Sequence, residues 1–157
     1  MTAKRIARPR PFILRRSAIH GKGVFAIDWI PEGTRLIEYT GERITHEESE
    51  RRYPEEGTQP HYTLLFALND GKTVIDATHG GNAARFINHS CEPSCEAVIE
   101  DGRIFIETLR EIAPGEELGL DYNYLLTEPH TTKAKRRYPC RCGMPTCRGT
   151  LLGKKTR

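Results

Sequence analysis

The chain has 157 residues, 37% apolar and 29% charged, with 14 glycines, 10 prolines and 12 aromatic residues, a balance that fits one compact domain and excludes disordered and fibrous chains. No apolar run approaches the roughly 18 residues of a membrane span, and the amino terminus lacks the apolar core of a secretory signal, so a cytosolic or nuclear protein without membrane contact is expected. The formal charge of +3 conceals an asymmetry: residues 1–27 carry seven basic residues and residues 131–157 carry nine, neither with an acid, which leaves all 21 acids with eight basic residues, a formal −13, between 28 and 130.

Short strand-like runs bounded by turn residues dominate the chain. Phe12–Ser17, Gly23–Ile27 and Arg35–Tyr39 come first, followed by Tyr62–Leu68, Thr73–Ala77, Glu96–Glu100, Arg103–Leu109 and Glu117–Tyr122. Pro31-Glu32-Gly33, Asn69-Asp70-Gly71, Asp101-Gly102 and Pro114-Gly115 supply the turns between them. One helix is predicted from Thr45, with Glu48 completing a capping box, to just before Pro54, and a shorter one over Asn82–Phe86. The expected architecture is one mostly β domain with a few short helices and a small cysteine-bearing appendix after about Thr127.

Four constellations carry chemistry. Gly21-Lys22-Gly23 lies between two strands, where glycines allow a tight turn or close approach of backbone to a ligand; it lacks the third glycine and following helix of a dinucleotide fingerprint. The run Arg85-Phe86-Ile87-Asn88-His89-Ser90-Cys91-Glu92-Pro93-Ser94-Cys95 packs donors and acceptors suited to an amino group and a carboxylate. Cys140, Cys142 and Cys147 lie within eight residues and can share one metal ion, which fits a reducing compartment better than a disulfide framework. A closed tetrahedral zinc site needs a fourth ligand, and Cys91, Cys95 and His130 are the candidates. The run from Glu116 to Tyr124 ends a strand in tyrosines that either pack or line a channel with hydroxyl groups.

In this order, GKG, Tyr39-Thr40-Gly41, RFINHSCEPSC, EELGLDY and CRCGMPTC closely resemble the SET-domain protein lysine methyltransferases with a post-SET zinc motif. The stretch IDATHGGNAARFINHSCEP is most similar to the mixed-lineage-leukaemia and trithorax branch. The resemblance implies small sheets around a knot-like crossing, divided as a basic tail (1–11), a SET domain (12–127) and a post-SET zinc segment with a basic tail (128–157). It implies that Gly21, Lys22 and Gly23 contact the methionine part of S-adenosylmethionine, that Asn88 and His89 bind its amino group and adenine, and that Arg85 and Phe86 lead into the crossing. Tyr39 resembles the cofactor-side tyrosine, Leu151 the leucine that packs near adenine, Tyr122 the catalytic tyrosine and Tyr62 a tyrosine of the lysine channel. Cys91, Cys140, Cys142 and Cys147 match the four zinc ligands. Residues 1–11, ahead of the match, hold no cysteine, so a cysteine-rich pre-SET segment is not expected.

Two positions depart from the family pattern: Ser94 replaces a common asparagine, and Leu120 stands where relatives have tyrosine or phenylalanine. Leucine carries no hydroxyl to hold a water in the space that further methyl groups need, which implies di- or trimethylation. The expected substrate is a lysine in a basic, histone-like protein segment, drawn by the acidic centre. The basic ends either fold over that centre or make weak nucleic-acid contacts. The expected setting is a small standalone enzyme, cytoplasmic in a bacterium or nuclear, on chromatin, in a eukaryote. A catalytically silent module binding basic tails and a zinc-stabilised nucleic-acid binder are the alternatives, the latter marked by steep salt dependence.

Overall fold

The computed structural model describes residues 3–54, 64–126 and 128–154. Its strands are short because glycines and prolines interrupt the sequence every few residues. β1 (Phe12–Arg16) and β2 (Lys22–Ala26) form an antiparallel hairpin with Phe12 opposite Ala26, and Gly21 closes it in the left-handed region at φ 45°. Phe12, Val24 and Ala26 face inward and are buried.

β3 (Arg35–Glu38), β7 (Asn88–His89), β8 (Cys95–Glu100), β9 (Arg103–Thr108) and β10 (Gly119–Leu120) make a five-stranded sheet in the order β3-β9-β8-β10-β7. The β8–β9 hairpin turns on Asp101 and Gly102, both at positive φ, the backbone that a two-residue hairpin requires and an Asp-Gly pair supplies. A second sheet places β6 (Thr73–Asp76) between β4 (Glu42–Thr45) and β5 (Leu65–Ala67). The predicted run Tyr62–Leu68 falls partly outside the described residues; its described part forms β5 over Leu65–Ala67, with the Leu64 carbonyl accepting from Ala77 and the Leu68 N–H donating to Thr73 at 2.9 Å each.

Helix α1 (His46–Arg52) starts where the sequence places it, with Thr45 Oγ1 accepting the Glu48 N–H at 3.0 Å. The reciprocal half of the capping box is not what Glu48 does. Its carboxylate binds Arg51 at 2.6 Å and Arg52 at 2.7 Å, because two guanidinium groups within a turn compete successfully for one acceptor. The predicted short helix is a 3-10 turn over Ala83–Phe86, capped by Asn82 Oδ1 on the Ala84 N–H at 3.1 Å. A further helix, α2 (Thr132–Arg137), capped by Thr131, went unread because TKAKRR carries no apolar period beyond Ala134.

The main core holds Val24, Leu36, Ile87, Ile104, Ile106, Ile112, Leu118 and Leu120. The C-terminal segment has a small cluster of its own, in which Leu126, Ala134, Tyr138 and Leu152 are the buried members among the described residues. That is too little apolar surface to order the segment alone.

The basic ends fold in part over the acidic body. Lys4 Nζ lies 2.8 Å from Glu107, and Arg148 clamps Asp121 at 2.7 and 3.0 Å. Beside Lys4, Arg35, 4% exposed in its side chain, bonds Glu107 at 2.8 Å and Glu100 at 2.6 Å and stacks over Phe105. Arg35→Ala would leave Glu107 with Lys4 as its remaining cation and remove the guanidinium that covers Phe105. The variant is expected to lower unfolding stability by about 2 kcal/mol in urea titrations, the size of lost hydrogen bonds between charged groups, and a loss below about 0.5 kcal/mol, the value of an exposed pair, would contradict a structural role for Arg35.

Candidate functional site

The site is built where β10 threads between β7 and β8, parallel to both. Gly119 sits opposite Asn88, and Leu120 sits opposite both His89 and Cys95. The predicted strand Glu117–Tyr122 thus contracts to two residues, because β7 pairs with it over Gly119 and Leu120 alone and β8 meets it at Leu120, while Glu117 bridges Phe25 instead. The crossing is tight: a Cβ on Gly119 would lie 2.7 Å from the Ser90 Cβ. Ser94 Oγ accepts the Gly119 N–H at 3.1 Å, and the Ser90 N–H donates to the Leu120 carbonyl at 2.9 Å. The departure at Ser94 therefore keeps an acceptor where the buried strand needs one.

Asn88 joins the crossing to the glycine loop. Its Nδ2 faces three oxygens, the carbonyls of His20 and Lys22 at 3.2 Å each and Glu117 Oε1 at 2.9 Å. Three acceptors around one end of the amide fix that end as the donor. Glu117 also accepts from Ser17 Oγ at 2.9 Å, and a Cβ on Gly23 would collide with the Glu117 carboxylate. Gly23 is small because Glu117 approaches it. No local pattern marks Glu117 as part of this group, since Ser17 and Gly23 lie about a hundred residues away. Lys22 and Arg85 bring their cations to 5.8 and 4.7 Å from the Phe86 ring centre, so all three side chains meet.

Tyr39, Leu120 and Tyr122 belong to one packed region. The buried Tyr39 hydroxyl donates to the Leu64 carbonyl at 2.9 Å, and its ring centre is 5.3 Å from that of Phe66. Burial, with Tyr122 and Asp76 nearby, pushes the phenol above its ordinary pKa. The Tyr122 hydroxyl donates to the Ile87 carbonyl, and its ring stands 5.4 Å from His89 and 5.6 Å from Tyr124. Leu120 is buried beside it. Leu151 lies farther along, packed on the C-terminal cluster, with its carbonyl accepting the Tyr124 N–H at 3.3 Å. Tyr62 lies outside the described residues.

The sulfurs of Cys91, Cys140, Cys142 and Cys147 all lie within 4.8 Å of one another. Cys91 Sγ is 3.6 Å from Cys140 and 4.0 Å from Cys147, against about 3.8 Å for the edge of a tetrahedron with metal–sulfur bonds of ~2.3 Å. These four residues fit one metal ion. Of the other candidates, Cys95 is buried in the main core, where burial pushes its thiol up to about 11. His130 is engaged at both nitrogens, by the Leu126 N–H at 3.1 Å and the Gly153 carbonyl at 2.9 Å. The Arg148 and Gly149 N–H groups point at Cys91 and Cys147 at 3.3 and 3.4 Å. Burial raises the Cys142 thiol, but backbone groups of Cys91 and Met144 and the adjacent thiols outweigh it and bring the pKa to about 7. A second cluster, Glu42, Asp76 and His79, has its carboxylates taken by Arg52 at 2.9 and 3.1 Å.

Residues 21–123, the span holding the loop, the crossing and Tyr122, match the SET domain family. The chain belongs to the SET-domain family. The SET chain is 45% identical over 151 residues to the "Histone-lysine N-methyltransferase, H3 lysine-4 specific" of Eremothecium gossypii, 44% to that of Saccharomyces cerevisiae and 45% to that of Kluyveromyces lactis. Each match covers 92% of this SET chain but only 15%, 13% and 14% of the respective relative. In the SET crossing, Ser94→Ala would leave the Gly119 N–H without its acceptor. The expected cost is about 1–3 kcal/mol of stability, with faster hydrogen exchange at the Gly119 amide than at Ser90; unchanged exchange would remove Ser94 from this role.

Proposed function

We propose that the chain is a protein-lysine N-methyltransferase domain that moves methyl groups from S-adenosylmethionine to the side-chain amine of a lysine in a basic protein segment. The observation that carries this reading is the meeting of Asn88, the Gly21–Gly23 loop and Tyr122 at one strand crossing. The names of the relatives support lysine 4 of histone H3 as the first substrate to try and, for this chain too, a nuclear location. The inward pairing of Lys4 and Arg148 favours a basic protein substrate over nucleic acid as the principal partner.

The chemistry joins a lysine nitrogen to the methyl carbon while the carbon–sulfur bond breaks, its electrons leaving with sulfur as a neutral thioether. Lysine has a pKa of ~10.4, so near pH 7 the free side chain is almost wholly ammonium and has no lone pair to attack. A buried channel beside a sulfonium disfavours the ammonium through desolvation and like-charge repulsion. In this reading the Tyr122 phenol, its proton directed to the Ile87 carbonyl, accepts from the amine N–H and orients its lone pair. Asn88, whose NH₂ end faces the loop carbonyls and Glu117, offers its amide oxygen to the ammonium of the cofactor. Gly21, Lys22, Gly23, Tyr39, Arg85, Phe86, His89 and Leu151 complete the cofactor side, and Tyr62 the lysine channel.

We assign zinc to the four-sulfur cluster. Cys91, Cys140, Cys142 and Cys147 would hold the ion with no position left open, so it would supply folding energy to residues 128–157, the post-SET segment in this division, rather than chemistry to the reaction. Residues 12–127 form the SET domain proper.

Two predictions test the assignment. Tyr122→Phe is expected to lose most methyl transfer to a histone H3 peptide, by 100-fold or more on the order of a removed transition-state hydrogen bond, while S-adenosylmethionine binding by calorimetry stays within about threefold; near-normal turnover would remove Tyr122 from the reaction. At Leu120, mass spectrometry of peptides after long incubation is expected to find di- or trimethyllysine with the wild type and mainly monomethyllysine with Leu120→Tyr. Monomethyllysine alone from the wild type would contradict the product assignment.

A further inference from the structure

His89 has a side chain that is 2% exposed and stands between two parts of the molecule that the sequence separates widely. Its Nδ1 lies 3.1 Å from the backbone nitrogen of Tyr122, which can only donate. Nδ1 therefore carries the lone pair, and the proton of the neutral ring resides on Nε2. Nε2 in turn lies 3.3 Å from Cys91 Sγ. A metal-bound thiolate is an acceptor, so the Nε2–H donates to it.

The opposite tautomer conflicts with these neighbours. A proton on Nδ1 would face the Tyr122 N–H head-on. The carboxylate beside Nδ1, Asp121, has Oδ1 3.7 Å away and is already held by Arg148 at 2.7 and 3.0 Å and by the Asn123 N–H at 2.9 Å. The charge balance runs the same way: four thiolates around a divalent ion leave two negative charges in excess. N–H donors from outside the ligand set offset such an excess and orient the ligands. Cys91 has two donors, the Arg148 N–H at 3.3 Å and the His89 ring.

We propose that His89 is a positioning residue that couples the cysteine cluster to the reacting tyrosine: one face of its ring supports the Cys91 thiolate, and the other fixes the backbone from which the Tyr122 side chain projects. The link to catalysis rests on the methyltransferase reading; the hydrogen-bond assignment does not. The two halves separate by substitution. Asparagine reaches the place of Nδ1 with an acceptor but not Cys91, and glutamine reaches the place of Nε2 with a donor but gives up the acceptor.

The test uses the full zinc-loaded chain. Side-chain ¹⁵N spectra of the wild type are expected to show His89 protonated at Nε2 and bare at Nδ1; a ring protonated at Nδ1 overturns the proposal. Zinc transfer to a chelating dye is expected to be about tenfold faster in His89→Asn, the size of effect that outer partners of metal ligands have, and within about twofold of wild type in His89→Gln. For methyl transfer to a histone H3 peptide the order reverses: kcat is expected to be about tenfold lower in His89→Gln than in His89→Asn, compared at saturating S-adenosylmethionine, with KM for the peptide little changed in either. Parallel losses of both readouts in both variants would mean that the ring only fills space, and would overturn the coupling. Should the wild type transfer no methyl group, the methyltransferase reading falls, while the spectra and the zinc transfer still decide the bonds to His89.

Discussion

A two-residue strand held in parallel between β7 and β8 determines what can touch what in this molecule. Gly119 and Leu120 contribute few atoms, but their backbone is bonded on both sides, to the Asn88–His89 strand and to the strand that begins at Cys95. The approach requires glycine at 119, because any side chain would meet Ser90, and an acceptor at 94, because the Gly119 N–H is buried. With those conditions met, residues more than thirty positions apart come within hydrogen-bond range: Tyr122 reaches the carbonyl of Ile87 and the ring of His89. The Asn88 amide then gathers the glycine loop and Glu117 around the same point.

The C-terminal segment depends on the crossing for a different reason. Among its described residues few apolar side chains are buried, Ala134, Tyr138, Cys142 and Leu152, and so it has little cohesion of its own. Its attachments to the body run through residues next to the crossing: Cys91 two positions after His89, Asp121 one before Tyr122, and Glu92, which accepts from Thr146 at 2.6 Å. Ordering the segment and shaping the tyrosine end of β10 are in this way one event. A metal ion held by Cys91 and three cysteines of the segment would couple its binding energy to that event.

The sequence was most legible where one local rule decides. Asp101-Gly102 called for a hairpin and made one, and Thr45 called for a helix start and capped it. Strand ends were less legible, because the length of β10 is set by how far β7 and β8 run beside it and not by its own residues. Helix α2 escaped because Ala134 is its lone buried residue. At the site, spacing left Cys91, Cys95 and His130 open as the fourth ligand, and only the fold separates them: it buries Cys95 in the core and commits His130 to two backbone groups. Glu117 was invisible for the same reason, since nothing near it in the chain announces Ser17, Gly23 and Asn88. The family motifs carried what local rules could not, because a motif records partners that are distant in sequence.

If Cys91, at the crossing, closes a four-sulfur site with Cys140, Cys142 and Cys147, it fastens the C-terminal segment to the strand that carries Tyr122. Elemental analysis of purified wild type, Cys91→Ser and Cys95→Ser, each followed by limited proteolysis, decides this. One zinc per chain is expected in the wild type and in Cys95→Ser, and in Cys91→Ser loss of the metal with rapid cleavage within residues 128–154. Full zinc in Cys91→Ser together with its loss in Cys95→Ser would contradict it.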